Sequence, residues 1–202
     1  MVAGVGNVWG AGSITVSSST IILPKGSTSV STGDWISAAG VTKSGSSWAY
    51  ADWTGDKTIG SYGSLTFSNA GDMNGADLLQ FKASGGSITT TISSSAGVDI
   101  VIGYKVGKNS FSVSLTGADN VSGTSTSWST MSISTTKTSA SFTISKTGKG
   151  AGYVSYIKIT PKASCTQLGT INGSISLSKG KRTDSPKQNQ TQDNSYVWQK
   201  IG

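Results

Sequence analysis

"SITTTISSSAGVDIVIGYKVGKNSFSVSL", residues 87–115, decides the fold. Within it "SITTTIS" (87–93), "DIVIGYK" (99–105) and "SFSVSL" (110–115) alternate apolar residues with hydroxyls or other polar residues, so each run has one face fit for burial and one for water. The breaks between them, "SSSAG" (93–97) and "VGKN" (106–109), are built from turn-forming residues. The same pattern continues outward in "TMSIS" (130–134), "SASFTIS" (139–145) and "YVSYIKIT" (153–160), and backward in "LLQFKA" (78–83), "SLTFS" (64–68), "TIILP" (20–24) and "SITVS" (13–17). Short strands at this spacing, with no helical period between them, predict an all-β, antiparallel sandwich or barrel. In "LLQFKA" the inward positions are Leu79 and Phe81. In "YVSYIKIT" they are Val154 and Ile159, with Tyr156 or Ile157 between them.

Composition agrees. Ser and Thr make up close to a third of the chain, Gly contributes 27 of 202 residues, Pro only 3, Leu is rare and Glu is absent. That mixture disfavours long helices, because hydroxyl side chains compete for backbone hydrogen bonds and the strong helix formers are missing. There is no His, and Cys165 is the sole cysteine. The usual base for a Ser or Cys nucleophile and the usual metal ligands are therefore lacking, and the expectation is a protein that is not an enzyme. Asp52 and Asp56 are close in sequence, but nothing marks a cleft in which two carboxylates would act on a glycosidic bond.

The net charge of +7 invites a nucleic-acid reading. Its distribution argues against one: residues 1–130 carry six Lys and seven Asp, and the excess lies beyond them, much of it at Lys179, Lys181, Arg182, Lys187 and Lys200 in a polar tail. Arg182 is the only arginine, although arginine is the preferred reader of phosphates and guanine edges, so no nucleic-acid partner is expected. No apolar run is long enough to insert into a membrane, and the opening "MVAGVGNVWGAG" is not a signal peptide. An exported protein would thus present this chain as a mature or excised piece.

After Pro161 the character changes. "KASCTQLGTINGSISLSKG" (162–180) holds one alternating piece, and "KRTDSPKQNQTQDNS" (181–195) is too polar to order itself by burial. The predicted organisation is a sandwich over 1–162, followed over 163–202 by a linker, the start of a further repeat domain and a loosely attached or disordered tail.

The succession "GADLLQFKASGGSITTTIS", "DIVIGYKVG", "SASFTIS" and "GYVSYIKITPK" resembles the jelly-roll, galactose-binding-like modules of secreted bacterial polysaccharide-degrading and surface proteins. Such modules often close on a strand of the type "xxDYIKIxP". Here "VSYIKITP" (154–161) matches, with Ser155 where Asp is common. The likeness covers about residues 76–178 and rests mainly on core pattern. It implies a jelly-roll sandwich, an extracellular setting, a place in a larger multidomain chain, and a polysaccharide or glycan as partner. It fixes no binding residue one for one.

Site candidates therefore come from chemistry. In "SSWAYADWTGDK" (46–57), an extended backbone would put Trp48, Tyr50 and Asp52 on one face and Trp53 on the other. Two rings beside a carboxylate suit a sugar, whose axial hydrogens stack on a π-face, and the competing reading is core packing. Trp35 and Trp128 stand in small polar surroundings and join the ligand-binding set. "GDMNGAD" (71–77) places Asp72, Asn74 and Asp77 around Gly75 as a partial calcium loop. The ion it would hold is a structural calcium, with an Asx turn as the alternative, and no other cofactor is expected. Thr-x-Thr runs such as "ITTTI" touch on ice-binding arrays but lack a fixed period and read as solvent faces of strands. The expected function is a non-catalytic carbohydrate-binding accessory module. The alternative is a structural spacer or adhesion module of a surface or virion protein with no glycan ligand.

Overall fold

A computed structural model describes residues 12–24, 26–28, 35–41, 55–72, 79–81 and 85–164, of which Gly71 and Asp72 are described by backbone alone. Over these residues the chain is a jelly-roll β-sandwich of two sheets. In order along the chain the strands are β1 (Ser13–Val16), β2 (Ile21–Leu23), β3 (Gly55–Thr58), β4 (Ser64–Ser68), β5 (Ala70–Asp72), β6 (Leu79–Phe81), β7 (Ser87–Ser94), β8 (Val98–Val106), β9 (Ser110–Leu115), β10 (Val121–Gly123), β11 (Ser129–Thr135), β12 (Ser139–Thr147) and β13 (Gly152–Pro161). A single turn of helix, α1 (Trp35–Ala38), precedes β3.

The first sheet runs β10-β9-β12-β7-β4-β3 and the second β11-β8-β13-β6-β5. From β7 to β9 and again from β11 to β13, each strand crosses to the opposite sheet, which is why every run in the opening stretch buries one face only. The turn between β7 and β8 depends on Gly97: its φ is 92°, and a Cβ there would lie 2.1 Å from the Thr135 carbonyl oxygen. Asn109 takes φ 65° in the β8–β9 turn, a conformation that asparagine tolerates better than most residues.

Two central strands divide their outer edge between two partners. β7 pairs along one side with β12; on the other it pairs antiparallel with β4 over residues 87–89 and parallel with β1 over residues 91–94. The parallel β1 is the exception to the antiparallel expectation. β13 pairs with β8 along its whole length, with β6 over residues 152–154 and with β2 over residues 157–159. A bulge at Ser155 marks the change of partner. It also resolves the ambiguity in "YVSYIKIT": the extra residue shifts the phase, so Val154, Ile157 and Ile159 all face the core while Tyr156 lies opposite Gly103 on the outer side.

The core is apolar and close-packed. Phe111 of the first sheet meets Phe81 and Tyr104 of the second edge-to-face, with centroids 5.3 Å and 6.1 Å apart, an arrangement favoured by the ring quadrupoles. Leu79 and Phe81 are fully buried, as expected. Among the described residues three buried inward positions are polar, one of them Thr135, whose hydroxyl donates to the Thr116 carbonyl at 2.7 Å. The Thr90 hydroxyl lies 2.8 Å from the Gly12 carbonyl and 3.0 Å from that of Ser64, tying β7 to the entries of β1 and β4. Lys146 is inward near the end of β12, only 2 % exposed, and its Nζ donates to the Thr147 carbonyl at 2.6 Å. Burial pushes its ammonium below the usual lysine range.

The outer face of the first sheet is a hydroxyl plane. One ladder row reads Thr66, Thr89, Thr143, Ser114 and the next Ser68, Ser87, Ser145, Ser112, Ser122. Residues 25–63 read in the sequence as long loops with one short strand over Trp48–Trp53; the described residues there include α1 and β3, and Trp48–Trp53 lie outside the described residues.

Candidate functional site

The outer face of the second sheet differs from that hydroxyl plane. On β8 the outward positions are Asp99, Val101, Gly103 and Lys105, because Ile100, Ile102, Tyr104 and Val106 fill the core. Ladder register sets Tyr153 of β13 beside Lys105, and Gln80 of β6 beside Tyr153. On the other side β11 begins opposite Tyr104 at Ser129, which brings Trp128 level with Lys105. The Lys105 ammonium lies 5.2 Å from the centre of the Trp128 ring and 5.1 Å from that of Tyr153. A cation at that range is attracted to the negative ring faces. Trp128, Lys105 and Tyr153 are all half-buried, so the group opens to solvent.

The approach to Trp128 is held in place by backbone. The Val106 N–H donates to the Ser125 carbonyl at 2.9 Å, and the Ser125 hydroxyl donates to the Ser127 carbonyl at 2.7 Å. Beyond Lys105 the β8–β9 and β12–β13 turns meet at the same end, where Asn109 Nδ2 donates to the Lys149 carbonyl and Gly107 N–H to that of Ala151. Lys108 and Lys149 on these turns are exposed. Asp99, the acid of this strand, is six residues from Lys105, about 20 Å along the chain. It accepts from Ser134 Oγ at 2.6 Å and faces Lys162 Nζ at 3.6 Å. Among the described residues no carboxylate pairs with Lys105.

Further along the row, Gln80 is 3 % exposed and its Oε1 has no hydrogen-bond partner; Ser155 Oγ is likewise buried and unpartnered. Gly103 makes room beneath: a Cβ there would lie 2.4 Å from both Ser155 Oγ and Tyr156 Cε1. At the half-buried surface the arrangement offers two apolar ring surfaces and three ammonium N–H donors across three neighbouring strands, about 10 Å from end to end at the usual strand spacing. Stacking on rings with hydrogen bonds from flanking polar groups is what a sugar ring needs.

Of the sequence candidates, Trp128 belongs to this group. Trp35 does not, and its place in the ligand-binding set is corrected: it is 0 % exposed, stacks edge-on against Phe67 at 6.3 Å and donates its indole N–H to the Ser155 carbonyl at 3.1 Å. The bulge frees that carbonyl from the ladder, and the ring closes the sandwich between the two sheets with no face left for a ligand. Trp48, Tyr50, Asp52 and Trp53 lie outside the described residues. So do Asn74 and Asp77, while Asp72 ends β5. Among the described residues no three His, Cys, Asp or Glu side chains group as metal ligands. Asp56, the remaining partner of the carboxylate pair, accepts from Thr66 Oγ1 across the β3–β4 ladder. Lys105 and Tyr153 went unrecognised in the sequence. The signal that could have found them is their bulk at positions where neighbouring strands present Ser and Thr.

No helix among the described residues is long and apolar enough to cross a membrane. No protein-family profile matches the chain, and no curated protein does. Among solved structures it is similar to a family two carbohydrate esterase from Cellvibrio japonicus, at 16% identity over 48% of this chain and 31% of that one, with a TM-score of 0.39. It is also similar to a CBM35 from Paenibacillus barcinonensis, at 14% identity over 48% of this chain and 93% of that one, with a TM-score of 0.36. A carbohydrate-binding module CBM36 solved with calcium and xylotriose aligns at 10% identity over 61% of this chain and 96% of that one, with a TM-score of 0.34. At these values the likenesses add nothing to what the strand order establishes.

Proposed function

We propose that the chain is a non-catalytic carbohydrate-binding module of an extracellular bacterial protein, with a polysaccharide or glycan as its partner. The observation that carries the reading is the row Trp128, Lys105 and Tyr153, half-exposed on one sheet face, whereas the central strands of the other sheet present only Ser and Thr in the two rows described, with Asp56 at the β3 edge. Rings of this kind are retained at a surface at a solubility cost, and a sugar is the ligand class that uses ring faces and donors together. The closing strand "VSYIKITP", with its resemblance to secreted modules, supports the setting. The sandwich domain is assigned to 1–162, consistent with β13 ending at Pro161, and 163–202 to a linker, the start of a further domain and a polar tail. Trp48, Tyr50 and Asp52 remain candidates for a second contact, and Asp72, Asn74 and Asp77 for a structural calcium.

Affinity gel electrophoresis against a broad polysaccharide panel tests the reading. The chain is expected to be retarded by at least one glycan, and Trp128→Ala to weaken that binding by about 1–3 kcal/mol, the scale of stacking on an aromatic platform, with the melting temperature unchanged. A folded sample retarded by no glycan overturns it in favour of a spacer or adhesion module.

A further inference from the structure

We infer that the Trp128–Lys105–Tyr153 group is built for an acidic sugar, a pyranose carrying a carboxylate or sulfate; the inference rests on the reading of this face as the glycan site. Neutral-sugar platforms need rings and hydrogen-bonding groups but no net charge. Here the element between the rings is an ammonium, held 5.2 Å and 5.1 Å from the two ring centres. It has no carboxylate partner among the described residues. Aromatic faces attract a cation weakly and leave its N–H groups available to a stronger acceptor, whereas an anion forms charge-assisted hydrogen bonds about twice as strong as neutral ones. The surroundings have the same sign: Lys108 and Lys149 are exposed on the adjoining turns, and Asp99 is engaged with Lys162 at the far end of β8. A sugar ring stacked on Trp128 or Tyr153 would place an equatorial carboxylate or sulfate within reach of Lys105 Nζ. The rings then select a pyranose over other polyanions, and the lysine selects the charged pyranose.

The test uses the full chain and titration calorimetry with polygalacturonate, the same polymer fully methyl-esterified, a sulfated galactan, a neutral galactan, and polyglutamate as a polyanion without sugar. Polygalacturonate or the sulfated galactan is expected to bind at least about tenfold more tightly than its neutral counterpart, the effect of one charge-assisted contact. Whichever of the two binds identifies the acid group. Lys105→Met should bring the charged and neutral polymers to within about threefold of each other, Lys105→Arg should preserve the preference, and a Lys108→Met/Lys149→Met double variant should retain most of it. Far-ultraviolet circular dichroism confirms that each variant is folded. Equal affinity of the wild type for charged and neutral polymers overturns the inference and leaves the carbohydrate reading standing. So does loss of the preference in the double variant but not in Lys105→Met, or equal binding of polyglutamate. Failure to bind any sugar polymer overturns both.

Discussion

Replacing Trp35 separates a core ring from a ligand platform. Its side chain has no exposed surface, contacts Phe67 edge-to-face and satisfies the carbonyl that the Ser155 bulge releases from the sheet ladder. Trp35→Ala removes all three, and full truncation of a buried aromatic costs ~3–5 kcal/mol. Trp35→Phe keeps most of the apolar contact but leaves the Ser155 carbonyl buried without its donor, a loss of ~1–3 kcal/mol. Since small domains are stable by only ~5–15 kcal/mol, the alanine variant should be severely weakened and the phenylalanine variant intermediate. Guanidinium unfolding followed by circular dichroism reads both, with an unchanged slope confirming that the midpoint shift is a stability change. Glycan affinity measured below the transition should be unaltered in Trp35→Phe. An alanine variant that loses less than ~1 kcal/mol, or a phenylalanine variant of normal stability that no longer binds glycan, would refute the placement of this ring.

Gly103→Ala should destabilise the sandwich by ~1–3 kcal/mol, the usual cost of overpacking, because its Cβ meets Ser155 Oγ and the Tyr156 ring at 2.4 Å; a melting temperature equal to that of the wild type would count against the close packing over Gly103. Lys146 links stability to alkaline pH. Its folded-state pKa is lowered by burial while the unfolded chain keeps the ordinary value of 10.5, so between the two the unfolded state binds more protons and stability rises with pH, levelling off above 10.5. Lys146→Met should flatten that rise in unfolding titrations, and an identical pH profile in the variant would show that the ammonium is hydrated in the folded state.

Between Leu79 and Pro161 all the strands but β10 were legible because inward and outward residues differ in type at every second position, as in "SFSVSL" and "SASFTIS". The same rule hid Thr90 and Lys146. Both occupy inward positions with polar heads, made tolerable for Thr90 by the Gly12 and Ser64 carbonyls of distant segments and for Lys146 by the carbonyl of the adjacent Thr147. α1, β3, β5 and β10 were not legible since "WISA", "GDKT", "AGD" and "VSG" are too short to show a period. Tyr156 and Ile157 could not be ranked without knowing that Ser155 bulges, a consequence of β13 changing partners. The site was legible in part. Trp128 stands out as a large ring among small residues, but its meeting with Lys105 and Tyr153 is set by the register of three strands separated by 23 and 48 positions along the sequence. Trp35 looked like a surface ring because its neighbours in the chain are small and polar; its neighbours in space are Phe67 and Ser155.

The position of β13 has a bearing on how the molecule comes into being. The last strand of the sandwich is an interior one, flanked by β8 on one side and by β6 and β2 on the other. A ribosome that has delivered residues 1–150 has therefore made a second sheet with its middle missing. Ile157–Ile159 pairs with Ile21–Leu23, so the ladder that joins the two ends of the domain waits for nearly the whole chain. Non-local closure of this kind is slow, and until it happens β2, β6 and β8 offer unsatisfied edges to any neighbour. The nascent polypeptide stays pliable until late. Late closure also predicts that fragments ending ahead of β13 will aggregate when produced alone.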